Sequence, residues 1–81
     1  MNFIATFYSH FGAIRFKKIC DRRGYTAKLM PVPRDLSSSC GTCVYYESDS
    51  FEKENCISEE LEQLVCRSAE GYDVLYRAAD S

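Results

Sequence analysis

No run of apolar side chains in this sequence approaches the roughly 18 residues needed to cross a bilayer, so no transmembrane helix is expected. The first residues lack the basic n-region and long apolar core of a secretory signal, which makes the cytoplasm the expected compartment. Basic residues are scattered and not in excess. Ten Lys and Arg face twelve Asp and Glu, for a net charge of −2, so the footprint of a nucleic-acid-binding protein is missing. Histidine occurs once, as His10. Without a second C-x-x-C or an H-x-x-x-H pair, a zinc site has no strong signal. Repeats, linkers and low-complexity stretches are absent. What remains is one domain, residues 1–81, that is 46% apolar and 27% charged. That is ordinary globular composition with room for a modest core.

Five cysteines are present: Cys20, Cys40, Cys43, Cys56 and Cys66. An odd number without a secretion signal does not suit a disulfide framework. Catalytic, carrier or metal-binding thiols are the competing readings for Cys40 and Cys43, and the other three read as small buried hydrophobes.

Local patterns suggest the elements. Residues 2–8 are short, β-branched and aromatic, and read as a first strand. Ser9 is a suitable N-cap. From His10 to Arg23, Phe11, Ala13, Ile14, Phe16, Ile19 and Cys20 fit a helix with one broad apolar stripe, closed by Gly24. Residues 25–32 read as a second strand whose end is capped by prolines. Residues 42–47 form a third around Val44, Tyr45 and Tyr46. A polar stretch follows from Ser48 to Asn55. Ile57, Leu61, Leu64, Val65 and Ala69 then predict a second amphipathic helix, capped by Ser58 and stopped at Gly71. Residues 72–78 supply the last strand.

The order β-α-β-β-α-β predicts an α+β fold: the ferredoxin-like split β-α-β sandwich, a two-layer arrangement with both helices on one face of a four-stranded antiparallel sheet. A right-handed crossover makes strands one and two parallel, with the third between them. The end of strand one, the start of helix one and the loop between strands two and three then share one edge, which places Ser9 and His10 near Cys40. The other sheet face has no third layer. Tyr8, Tyr45 and Leu75 are candidates for it, and an apolar open face would favour a homodimer or a partner protein.

The stretch Pro31-Val32-Pro33-Arg34-Asp35-Leu36-Ser37-Ser38-Ser39-Cys40-Gly41-Thr42-Cys43 is the functional candidate. Two prolines stiffen its entrance, three serines compete for backbone hydrogen bonds, and Gly41 permits backbone angles closed to other residues. A cysteine reacts as the thiolate. An anion-binding nest of N–H groups around Ser39, Cys40 and Gly41, the positive end of helix one, and Arg34, Lys28 or His10 are the candidates for stabilising it. His10 is also a candidate base, and Arg34 an anion-binding group, against ordinary surface roles for both. Cys40 and Cys43 form a C-x-x-C pair, but the second leads into a strand, whereas a thioredoxin-like motif opens a helix. A resolving role for Cys43 is the alternative.

The residues Thr6-Phe7-Tyr8-Ser9, followed by the Pro-x-Pro-Arg…Ser-x-Cys-Gly core at Pro31–Gly41, resemble the selenium/sulfur carrier-like proteins, which are small bacterial domains. The resemblance implies a compact α/β domain whose Cys40 accepts sulfur or selenium as a persulfide or selenosulfide. Pro33, Arg34 and Gly41 are carried over with it. Cys43 departs from the family pattern, which commonly has an apolar residue there, as does the polar insert from Glu47 to Asn55.

The leading expectation is therefore a sulfur or selenium carrier rather than a stand-alone enzyme, with no cofactor or metal. It would be loaded by a cysteine desulfurase-like donor and would pass its cargo to an acceptor protein. The site residues are Cys40 and Cys43 for the chemistry and Arg34, Ser39, Gly41 and His10 for anion binding. A thiol-disulfide protein cycling Cys40 with Cys43, or an interaction module pairing through its open sheet face, are the alternatives.

Overall fold

The computed structural model of the chain describes residues 1–36, 38–49 and 60–78. The elements are β1 (Asn2–Phe7), α1 (His10–Arg22), β2 (Thr26–Pro31), β3 (Thr42–Glu47), β4 (Leu61–Ser68) and β5 (Gly71–Arg77). The strands form a single sheet in the order β2-β3-β1-β4-β5, and every neighbouring pair is antiparallel. Strands β1 and β2 run parallel to one another on either side of β3, as the right-handed crossover requires.

Helix α1 forms where its pattern predicts. Ser9 sits in the extended region and accepts a hydrogen bond from the Gly12 N–H through its side chain at 3.2 Å. Gly12, Ala13, Phe16 and Cys20 face the sheet, a spacing of three and four residues that makes one stripe. Gly12 leaves room for the side chain of Glu60, just before β4: a Cβ at this position would come within 2.6 Å of Glu60 Oε2 and 2.8 Å of its Cβ.

Alternation along the strands divides the buried side chains between two faces. Phe3, Ala5, Phe7, Val44, Tyr46, Leu61 and Leu64 meet α1 in the main core. Its centre is aromatic: the Tyr46 ring lies 5.1 Å from Phe3 and 5.4 Å from Phe16, and Phe16 lies 5.3 Å from Phe7. Ile4, Cys43 and Val65 form a smaller cluster on the opposite face, with Met30, Val32, Leu36, Tyr45 and Tyr72 packed against it.

The ferredoxin-like sandwich, with two helices over four strands, is not what the chain adopts. Among the described residues there is one helix, and the sheet has five strands. The predicted start of the second helix, Ile57 and its cap Ser58, lies outside the described residues, and so do Cys56 and Ser37. From Leu61 onward the chain is strand β4, ending in a turn at Ala69 and Glu70. The physical reason is a β-bulge. Phe7 pairs with Leu61 and Thr6 with Gln63, so Glu62 is the extra residue between two ladder positions. A bulge resets the two-residue alternation. Leu61 and Leu64, three apart, both face α1, while Val65 faces the other way. Spacing of three and four residues is the signature of a helix; here it arises from a bulged strand. Pairing with β1 and β5 on its two sides outweighs the helix propensity of the Leu-Glu-Gln-Leu run.

The second face is also not open at its middle. Ile4 is 1% exposed, and Cys43 and Val65 are fully buried, because Leu36 and its neighbours lie over them. Exposed apolar side chains on the last strand are confined to Val74 and Leu75 among the described residues. No helix of the described residues is long and apolar enough to cross a membrane.

Phe16 joins α1 to the aromatic centre. Phe16→Ala is expected to cost about 3–5 kcal/mol of stability, a large share of the roughly 5–15 kcal/mol of a small domain, measured by urea unfolding. A loss below about 1 kcal/mol would contradict this packing.

Candidate functional site

The loop between β2 and β3 is closed at its base by hydrogen bonds. Pro31 pairs with Thr42, and the Val32 N–H donates to the Gly41 carbonyl at 3.0 Å. Beyond this point Pro33 begins a tight turn, with the Leu36 N–H donating back to its carbonyl at 3.0 Å. Arg34 and Asp35 occupy the exposed corners of that turn. Leu36 then packs with Ile4, Cys43 and Val65 on the face away from α1.

On its return the chain changes face. The Ser38 hydroxyl donates to the Phe7 carbonyl at the end of β1, at 3.5 Å. Cys40 packs against the α1-side core. Gly41 enters β3 with φ of 74°, a left-handed conformation that strains any residue with a Cβ. The two cysteines of the C-x-x-C pair consequently belong to opposite faces, Cys40 to the helix side and Cys43 to the other.

Their surroundings differ as well. Cys40 is half-buried, and its S–H is directed to the Thr42 carbonyl at 3.3 Å. Cys43 is fully buried, with its S–H toward the Pro31 carbonyl at 3.7 Å. Burial, reinforced by the proximity of Cys40, pushes the Cys43 thiol up to about 11. At neutral pH it stays protonated and unreactive. Cys20, Cys40, Cys43 and Cys66 are all free thiols.

His10, at the start of α1, reaches the same loop. Its Nδ1 lies 3.2 Å from Thr42 Oγ1, in an exposed hydrogen bond whose donor depends on the imidazole tautomer. The end of β1, the start of α1 and the Cys40 loop therefore do meet at one edge. Arg34, by contrast, makes no hydrogen bond or ion pair among the described residues, so nothing in the geometry ties it to the thiol.

Of the N–H groups expected to form an anion-binding nest, that of Ser39 meets a carboxylate of the chain itself. The Ser39 N–H donates to Glu62 Oε1 at 3.1 Å and the Ser39 hydroxyl to Glu62 Oε2 at 2.6 Å. Burial alone would raise the Glu62 pKa, but the hydrogen bonds from Ser39, helped by the Ser38 and Thr6 hydroxyls, outweigh it and hold it below the ordinary value. The Thr6 hydroxyl acts from farther off, since it is buried with no partner at hydrogen-bonding distance. Glu60 lies against the first turn of α1 and pairs with Arg15 at 4.0 Å. Two carboxylates thus border an edge expected to be electropositive, and the Ser39 N–H serves Glu62 rather than the Cys40 sulfur.

Glu62 is the site residue that sequence reasoning missed. Its position inside a seemingly helical pattern hid it, and only the bulge directs it to the loop. Among the described residues no group of three or more His, Cys, Asp and Glu could hold a metal. Of the surface clefts, one of about 630 Å3 lies between Met1, Arg23 and Asp49, and one of about 320 Å3 between Asp35, Tyr72 and Arg77. Neither is lined by Cys40.

Among the described residues the arrangement defines a class: a small α/β fold of one helix on a five-stranded sheet, with a half-buried thiol, Cys40, on a braced loop. The family model described as "Putative Se/S carrier protein-like" matches residues 2–65, and the chain belongs to that family. The match runs from β1 into β4 and includes Cys40, Ser39 and Glu62. No curated protein and no solved structure matches the chain.

A carboxylate whose native pKa is depressed stabilises the fold above its unfolded value and loses that contribution as pH falls through the native one. The parent chain is expected to exceed Glu62→Ala in stability above the ordinary value of 4.5. The gap should close on further acidification, as followed by thermal unfolding from neutral to strongly acidic pH. A gap that is unchanged by acid would contradict an ionised Glu62 holding Ser39.

Proposed function

We propose that this protein carries sulfur or selenium on Cys40. The observation that supports the reading best is the different placement of the two loop thiols. Cys40 is accessible on a fixed loop, whereas Cys43 is sealed on the opposite face and held protonated. A redox cycle needs both sulfurs to react, and burial withholds one of them. A carrier needs only one. Family membership supports the same reading.

The chemistry is exchange without net oxidation. The Cys40 thiolate attacks the terminal sulfur of a donor persulfide. A new S–S bond forms at Cys40, the donor's S–S bond breaks, and the electron pair leaves with the donor thiolate, which takes up the proton lost from Cys40. A selenosulfide forms in the same way when the transferred atom is selenium. An acceptor thiol or other nucleophile then reverses the roles. Neither of the two clefts described above is lined by Cys40, and in this reading the donor and acceptor bring their own reactive groups to the loop. Tyr8 and Phe11, 45% and 76% exposed beside the start of α1, supply apolar contact area for such partners on the same edge. A cysteine desulfurase-like protein fits the donor role, and its product persulfide is the required reagent.

Incubation with a cysteine desulfurase and cysteine should add about 32 Da per sulfur, or about 79 Da for selenium from the corresponding selenium donor, mapped to Cys40. Absence of any adduct with enzymatic and small-molecule persulfide donors alike would overturn the reading. A loss of two protons mapped to a Cys40–Cys43 bond under mild oxidation would favour the redox alternative instead.

A further inference from the structure

We propose that Glu62 is the positioning residue of the thiol loop: its carboxylate holds Ser39 by backbone and hydroxyl together, and so fixes the chain that carries Cys40. The inference deepens the carrier reading and rests on Cys40 being the functional thiol.

Three observations converge on it. Both carboxylate oxygens are engaged by one residue, at 3.1 and 2.6 Å, and that residue is the immediate neighbour of Cys40. A hydrogen bond to an ionised carboxylate is roughly twice as strong as a neutral one, and this pair is two-pronged. Second, Glu62 is the extra residue of the β4 bulge. Bulges re-aim side chains and recur next to functional sites. Here the bulge lets Glu62 leave the strand ladder while its own carbonyl still accepts from the Ala78 N–H at 2.9 Å. Third, the other side-chain hydrogen bonds with distances given for residues 38–40 are longer: the Ser38 hydroxyl to the Phe7 carbonyl at 3.5 Å and the Cys40 S–H to the Thr42 carbonyl at 3.3 Å. The Glu62 grip is accordingly the strongest tie on the approach to Cys40 among the described residues.

Glu62 does not serve as a base for the thiol. A carboxyl held below its ordinary pKa is a weak proton acceptor, and its two oxygens are already occupied by Ser39. The role left to it is geometric: it keeps the thiol half-buried, with the S–H toward Thr42, until a partner engages the loop.

The test compares iodoacetamide alkylation of Cys40 with that of Cys66 in the intact chain at pH 7 to 9. Cys66 lies farther along β4, is also half-buried, and acts as an internal reference. In Glu62→Ala the ratio of Cys40 to Cys66 alkylation should rise at least about fivefold as the loop opens locally. Glu62→Gln keeps an oxygen for the Ser39 N–H and gains a donor for the Ser39 hydroxyl, and should stay within about twofold of the parent. A purely structural role would raise both cysteines together through global unfolding and leave the ratio unchanged. An unchanged ratio in Glu62→Ala, or a Gln variant as altered as the Ala variant, would overturn the proposal. Should the parent fail to take up sulfur on Cys40, the carrier reading falls, while the alkylation ratio still decides the role of Glu62.

Discussion

One extra residue in a strand sets the character of this protein. The bulge at Glu62 allows β4 to lie against β1 with Leu61 and Leu64 both turned to the helix, so the sheet core is filled from a sequence whose spacing looks helical. It also releases Glu62 from the alternation and brings its carboxylate to Ser39. Packing and loop geometry depend on the same backbone irregularity. Without it, a regular ladder would turn Leu61 to the wrong face.

From that constraint the site follows. The β2–β3 loop begins on the free face with Leu36 and ends on the helix face with Cys40, crossing the end of the sheet. The crossing explains why two cysteines only three positions apart have such different chemical prospects. Cys43 fills a place in the second cluster and is inert for the reason any buried thiol is inert. Cys40 is left accessible with its neighbours committed elsewhere: Ser39 to Glu62, Thr42 to His10 and to the thiol itself. The proposed carrier role asks only that this thiol be presented to a partner that supplies the remaining chemistry.

Much of this was legible in the chain. The first strand, the Ser9 cap, helix α1 and the strands on either side of the loop are encoded locally, by β-branched runs, a capping hydroxyl and a three-and-four apolar stripe. The loop was legible because Pro31 and Pro33 restrict the backbone and Gly41 frees it, effects that do not depend on context. Topology then brought His10 to the loop across thirty residues of sequence. The second helix was misread for a definite reason. Leu61, Leu64 and Val65 satisfy a helical period, and a bulge that restores the same contacts in a strand has no local marker in the sequence. The contact of Ser39 with Glu62 was hidden for a related reason: the Ser39 N–H was read as part of a site for the thiolate, whereas it donates to a carboxylate from β4, and the pairing of β4 with β1 is a long-range property. Arg34, read from its place beside the bend as a charge for the thiolate or an anion-binding group, makes no contact among the described residues that ties it to the thiol.

The central claim is that one thiol suffices. It is tested most directly in a chain that retains Cys40 alone, with Cys20, Cys43, Cys56 and Cys66 replaced by alanine, by measuring uptake of labelled sulfur from a persulfide donor and its release to an acceptor thiol. The account predicts uptake and release at rates close to those of the parent. A chain that keeps its fold but neither takes up nor releases sulfur would show that a second cysteine takes part, and would contradict it.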